Sequence, residues 1–250
     1  MDQYVTKPKI HIRTSIFQQV GLRNQSKLRP SEDFTYIQET ADMVYIGLSD
    51  GKSGSKYGVL GGETCNKAIG HFIQDQGVDN LCNMRYPDEL PYILTTVARN
   101  AIGELSFEHG AIFKEYASTL LSIAISPISG NYILIHIGDG CAICVLNDKS
   151  IKMLDPPEYC FTQPYTWLTT SATAANHVKV RMGNTKQMRR IILLSDGAST
   201  LCYGKNIRPK GVHLFAEEPF SSTLLYLQNH KSNDDVTCIF LDLKADLMAE

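Results

Sequence analysis

Three apolar, strand-like runs in this chain each end in Asp-Gly: Met43-Val-Tyr-Ile-Gly-Leu-Ser-Asp50-Gly51, Ile133-Leu-Ile-His-Ile-Gly-Asp139-Gly140 and Ile191-Ile-Leu-Leu-Ser-Asp196-Gly197. A further acidic turn, Asn233-Asp234-Asp235, stands before another such run, Val236-Thr-Cys-Ile-Phe-Leu241. A single Asp-Gly is the commonest hairpin turn and says only that the chain reverses. Repetition after runs that read as buried strands says more. A carboxylate on a Gly-rich turn at a strand end is presented, not covered, and acids collected in this way suggest a hard-metal site.

Composition excludes several classes of function. A formal net charge of -2 offers no broad attraction for nucleic acid or an anionic membrane, so neither is expected as a partner. The N-terminus has no basic stretch leading into an apolar one, and no later run is long enough to cross a bilayer, which implies a soluble protein. Seven cysteines, an odd number set mostly inside apolar runs, read as small buried hydrophobes in a reducing compartment; the expected location is cytoplasmic. With 250 residues, 43% of them hydrophobic, and no linker, residues 1–250 read as one domain around one large core.

Along the chain, residues 5–20 alternate loosely, as an opening strand or two. The acidic pair Glu32-Asp33 leads into a short strand. Gly58 onward carries apolar residues at helical spacing, and residues 88–107, with an acidic start and a Pro in the first turn, give the strongest helix signal. From Tyr116 the pattern changes to a meander of strands, with a hairpin through Ser129-Gly130-Asn131 and a third strand following across the Asp139 turn. Residues 156–187 read as a long irregular segment, of the kind that is more often functional than idle. A strand over 188–194, a helix over 219–230 and a strand over 236–243 close the chain. Helices and antiparallel strands in this order do not alternate as parallel βαβ units would, so the fold class is α+β.

Taken in order, Glu32-Asp33, Ser49-Asp50-Gly51, Ala117-Ser-Thr-Leu-Leu121, Gly138-Asp139-Gly140, Ser195-Asp196-Gly197 and Asp234-Asp235-Val-Thr237 resemble the metal-dependent PP2C (PPM) protein phosphatases in their compact bacterial form. The resemblance covers nearly the whole chain and implies a four-layer fold, a β-sandwich flanked by helix pairs with the metal site at one end. It implies hydrolysis of phosphoserine and phosphothreonine by a water activated between two Mn²⁺ or Mg²⁺ ions. Asp50 then bridges the ions, the Gly51 carbonyl binds one, and Asp196 and Asp234 complete the other. Asp33 orients water, and Asp139 with Asp196 holds a weaker third ion. The implied partners are a phosphorylated protein substrate and an opposing serine/threonine kinase.

The chain departs from the family pattern in three places. Leu28 stands where the phosphate-binding Arg usually lies, with Arg29 adjacent and Arg23 farther upstream; Arg29 is the preferred candidate. Lys52 follows the first Asp-Gly, where other members carry His or Met, and reads as a solvated or phosphate-facing cation. Thr200 replaces an Asp that supports the third ion. These departures leave two alternatives: a pseudophosphatase kept as a regulatory binding module, and a phosphatase of small phosphoesters. Other motifs fail on spacing. Gly51-Lys52-Ser53 lacks the earlier Gly of a phosphate-binding loop. Cys141 and Cys144, on one strand, face opposite ways and serve packing. His136, inside a β run, reads as a satisfied core or sheet-face histidine.

Overall fold

The computed structural model describes residues 10–158, 166–203, 211–216 and 221–245. Among them, two five-stranded antiparallel sheets face each other. The front sheet runs β2 (Asp33–Glu39), β3 (Val44–Asp50), β4 (Leu120–Ile125), β5 (Asn131–Ile137), β8 (Lys179–Asn184). The back sheet runs β1 (Ile10–Gln19), β10 (Val236–Ala245), β9 (Met188–Leu194), β6 (Cys141–Leu146), β7 (Ile151–Asp155). A one-turn helix, α1 (Leu22–Gln25), follows β1. Helices α2 (Gly58–Gln76), α3 (Val78–Cys82) and α4 (Leu90–Glu108) cover the outside of the front sheet. Helices α5 (Asp196–Tyr203) and α6 (Ser221–Asn229) cover the outside of the back sheet. The expected sandwich between helical layers is the observed one.

Strand alternation distributes the core. On β3, Val44, Ile46 and Leu48 point between the sheets, while Met43 and Tyr45 point out toward α2 and α4. On β5, Tyr132 and Leu134 point in, and Ile133, Ile135 and Ile137 point out. Both faces of each sheet are covered, which is why these runs read as continuous apolar stretches without polar alternation. The helices answer with stripes at i, i+4: Cys65, Ile69 and Ile73 on α2, and Leu90, Leu94, Ala98 and Ile102 on α4, all buried. Cys141 packs in the outer layer and Cys144 in the inner one, as their spacing requires.

The middle of the chain is not a meander. β4 and β5 form the expected hairpin, but after Asp139 the chain leaves the front sheet, and β6 lies in the back sheet between β9 and β7. Gly138, at φ +131°, makes that exit. Periodicity gives the two faces of β6 and is silent on which sheet it joins. Asp196 likewise opens α5, which the sequence does not announce because Gly197, Ser199 and Thr200 are poor helix formers. The segment 156–187 holds the edge strand β8 and two 3₁₀ turns where irregular chain was expected; its residues 159–165 lie outside the described ones. Residues 5–9 of the opening strand and 219–220 of the last helix also lie outside them.

Helix α2 sits close against the turn that leads into β4. A Cβ added at Gly61 would lie 2.0 Å from the Tyr116 carbonyl oxygen. Gly→Ala inside a helix ordinarily stabilises by about 1 kcal/mol. Gly61→Ala should instead destabilise by about 1–3 kcal/mol, the usual cost of overpacking, because backbone must move. The midpoint of urea unfolding, compared with that of the half-buried helix variant Gly103→Ala, whose added Cβ meets nothing within 4 Å, measures the reversal of sign.

Candidate metal centre

At one end of the sandwich the inward-facing rows change chemistry. Val44, Ile46 and Leu48 on β3 are followed by Asp50; Tyr132 and Leu134 on β5 by His136; Ile191 and Leu193 on β9 by Ser195. Leu121 on β4 is preceded by Thr119, and Ile239 on β10 by Thr237. Period-two alternation therefore delivers polar groups from both sheets to one place.

Asp33 lies opposite Asp50 in the β2–β3 register. Thr237 Oγ1 donates to Asp33 Oδ2 at 2.6 Å, and Asp33 Oδ1 is buried without a partner. The Asp50 N–H donates to Thr119 Oγ1 at 2.8 Å and its carbonyl accepts from the Thr119 N–H at 2.9 Å, pinning the strand end. The Gly51 N–H donates to the Glu32 carbonyl at 2.9 Å, which ties the turn to the start of β2. Asp139 accepts from Thr166 Oγ1 at 2.8 Å. Asp196 opens α5 and accepts its neighbour's N–H, from Gly197, at 2.6 Å. A Cβ at Gly197 would stand 2.1 Å from the Asp235 carbonyl oxygen, so the start of α5 rests on the 234–235 turn. Asp50, Asp139 and Asp196 line one small cavity with Thr119, His136 and Ser195.

Burial dominates the electrostatics, and crowding of like charge adds to it. Burial, and then the charges of Asp33, Asp196, Asp139 and Asp234, push the Asp50 carboxyl up to about 10. Burial, then Asp139 and Asp234, raise Asp196 to about 8. Burial raises Asp33 to about 7 against the hydrogen bond from Thr237. Asp234 is raised by burial too, with Arg23 opposing. Such a group of acids is satisfied by positive charge. Among the described residues no three His, Cys, Asp or Glu side chains are poised to enclose one ion. The donors are oxygens, spread around the site, with one orphaned carboxylate oxygen; that set fits Mg²⁺ or Mn²⁺, which take oxygen ligands and keep several waters.

Arg29 and Arg23 separate clearly. Arg23 Nη2 bonds Asp234 Oδ1 at 2.7 Å and stands 3.9 Å from Glu32 Oε2, whereas Arg29 lines a cleft of about 380 Å³ with Gly51, Lys52 and Lys56. Lys52 is exposed on that cleft, and Thr200 is exposed on α5. Asp235, which the sequence groups with Asp234, faces the other way: it is buried and accepts from the Gly21 N–H at 2.6 Å, the Glu32 N–H at 2.6 Å and Asn24 Nδ2 at 2.9 Å. It staples three chain segments. Thr119, Thr237 and His136 were missed as site residues, although each sits where an apolar inward row should continue.

The protein phosphatase 2C family model matches residues 20–242, and the chain belongs to that family. Among solved structures, a bacterial serine phosphatase superposes with a TM-score of 0.67 at 18% identity, over 94% of this chain and 99% of its own. The catalytic domain of the serine threonine protein phosphatase PstP, in complex with two manganese ions, gives 0.64 at 16%, over 94% and 99%. The serine/threonine phosphatase Stp1 from Staphylococcus aureus gives 0.63 at 15%, over 98% and 100%. At these identities the likeness speaks for the fold. No curated protein matches the sequence.

Raised carboxyls have a measurable sign. Asp33 and Asp196 in the folded chain hold protons at a higher pH than their ordinary 3.8, so between about pH 4 and 8 the folded state binds more protons than the unfolded one. In chelator, stability should therefore fall as pH rises through that window. At pH 8 folding must hold Asp50 protonated although it would be ionised in the unfolded chain, and Asp50→Asn, neutral in both states, removes that cost and should stabilise the cation-free protein by about 1 kcal/mol or more, the worth of one pKa unit. Urea unfolding of both proteins at pH 5 and pH 8 checks this.

Proposed function

We propose that the chain, as one domain over residues 1–250, is a Mg²⁺- or Mn²⁺-dependent phosphatase of phosphoserine and phosphothreonine in proteins. The observation that carries the reading is the convergence of Asp33, Asp50, Asp139, Asp196 and Asp234, drawn from both sheets, beside a cleft edged by Arg29, Lys52 and Lys56. Family membership and a structural relative solved with two manganese ions support it. No described helix is long and apolar enough to cross a membrane. The buried cysteines support a cytoplasmic location, where a serine/threonine kinase supplies the substrate.

Asp50 and the Gly51 carbonyl would hold a cation pair together with Asp196 and Asp234, and Asp139 with Asp196 would hold a weaker third. When bound, the cations lower the pKa of water toward neutrality and draw charge from the phosphoryl oxygens. Asp33, with one oxygen held by Thr237, keeps the other free to orient the attacking water. Arg29 and Lys52 take the phosphate oxygens at the cleft, where charge-assisted hydrogen bonds are strongest. Arg23 holds Asp234 in place from the solvent side.

The test is hydrolysis of a phosphothreonine peptide and of an aryl phosphate with Mn²⁺, with Mg²⁺ and with chelator. Turnover of the peptide with either metal and none in chelator is expected; peptide binding without turnover would instead leave a regulatory module. The two arginines should part company: Arg29→Ala raises KM for peptide roughly tenfold or more, the loss of one charge-assisted contact. Arg23→Ala leaves KM for peptide near wild type and raises the Mn²⁺ concentration needed for half-maximal activity.

A further inference from the structure

His136 is not the satisfied core histidine its sequence context suggests. It is buried at 1% exposure on β5, at the inward position where Tyr132 and Leu134 would be followed by a third apolar side chain. Its Nδ1 lies 2.6 Å from Asp155 Oδ2. Its other ring nitrogen, Nε2, is buried and meets no protein partner. The ring lines the cavity that Asp50, Asp139 and Asp196 also line, a space of about 10 Å³, the volume one water needs.

The fold invests in holding this ring. Asp155 ends β7 and is wholly buried. Along β7, Met153 pairs with Ile143 and faces the outer layer, and simple alternation would turn Asp155 the same way. The register shifts between Ala142 and Ile143, so that Asp155 pairs with Ala142, an inward residue, with Leu154 as the extra one. A bulge of this kind re-aims a side chain. Arg181, on β8, donates through Nε to the second oxygen of Asp155. Burial would raise the Asp155 carboxyl, but the hydrogen bonds from His136 and Arg181 outweigh it and hold it below the usual range. An ionised carboxylate only accepts, so Nδ1 is the donor, and in the neutral ring Nε2 presents a lone pair to the cavity.

We propose that His136 is a positioning residue for the acidic site: its Nε2 accepts a hydrogen bond from one water lodged beside Asp50, Asp139 and Asp196, whose second hydrogen is donated to one of those carboxylates and fixes it for cation binding. Asp155 and Arg181 set the tautomer that makes Nε2 an acceptor. The donor–acceptor count closes, since the water gives one hydrogen to nitrogen and one to carboxylate oxygen. Its worth is the order seen when groups behind metal ligands are removed, about 10–100-fold in affinity.

The inference rests on the reading that the acids bind divalent cations, and the experiment keeps the two apart. Mg²⁺ and Mn²⁺ titration by calorimetry on the wild type tests that reading alone; no binding there defeats it. With wild-type binding in hand, His136→Phe, which keeps the ring and removes both nitrogens, should weaken Mg²⁺ at least tenfold, and His136→Gln, which restores an acceptor, should recover part of the loss. Asp155→Asn keeps the shape but offers Nδ1 a donor, so Nε2 takes the proton and affinity should fall as in His136→Phe. On the cation-free wild type, ¹⁵N-histidine spectra should place the His136 proton on Nδ1 alone, a readout independent of any variant. Equal Mg²⁺ affinity in folded His136→Phe, or a His136 proton on Nε2 in the wild type, overturns the proposal. If His136→Phe is unfolded by circular dichroism, the wild-type spectra and Asp155→Asn decide.

Discussion

The burial of a handful of carboxylates beside one another is the constraint that the architecture is built to bear. Acids that would separate freely in an unfolded chain are delivered to one end of an apolar slab, where little water reaches them and each raises the others. What pays for this is packing elsewhere: inner rows of Val, Ile and Leu, and two outer faces covered by helices. The site is thus a region of stored electrostatic cost inside an otherwise consistent fold, which is where a ligand of opposite charge gains most.

Two kinds of neighbour keep the acids from relaxing apart. Hydroxyl groups of Thr119, Thr166 and Thr237 bond backbone or carboxylate and fix direction without adding charge. Asp235 does the opposite job with the same functional group as the site residues. Three donors surround it, so its carboxylate closes the turn between β1 and β2 against the start of β10. Two adjacent aspartates, 234 and 235, therefore have different partners, although both lie in the one turn before β10.

Much of this was legible in the sequence. The runs ending in Asp50, Asp139 and Asp196 marked the strand ends, and the spacing of 65, 69 and 73 or of 90, 94, 98 and 102 marked the helices, because burial imposes periodicity. Sheet assignment was not legible: β6 has the same apolar pattern whether it lies beside β5 or across the sandwich, and only packing in three dimensions chooses. Helix α5 was hidden for a related reason, since Gly197 is required by the Asp235 carbonyl and its helix propensity is overridden by that contact. Asp155 and His136 were invisible as a pair because a one-residue bulge, with no signature of its own, turns one toward the other.

Gly138 sends the chain from one sheet to the other immediately before Asp139, while Asp50 belongs to the front sheet and Asp196 and Asp234 to the ends of back-sheet strands. On the proposed reading, a cation held among them would be a rivet through two plates. Sliding one plate along the other by a single strand repeat, about 3.4 Å, would pull its ligands out of reach of one another. Occupancy of such a site would thereby be a gauge of inter-sheet alignment.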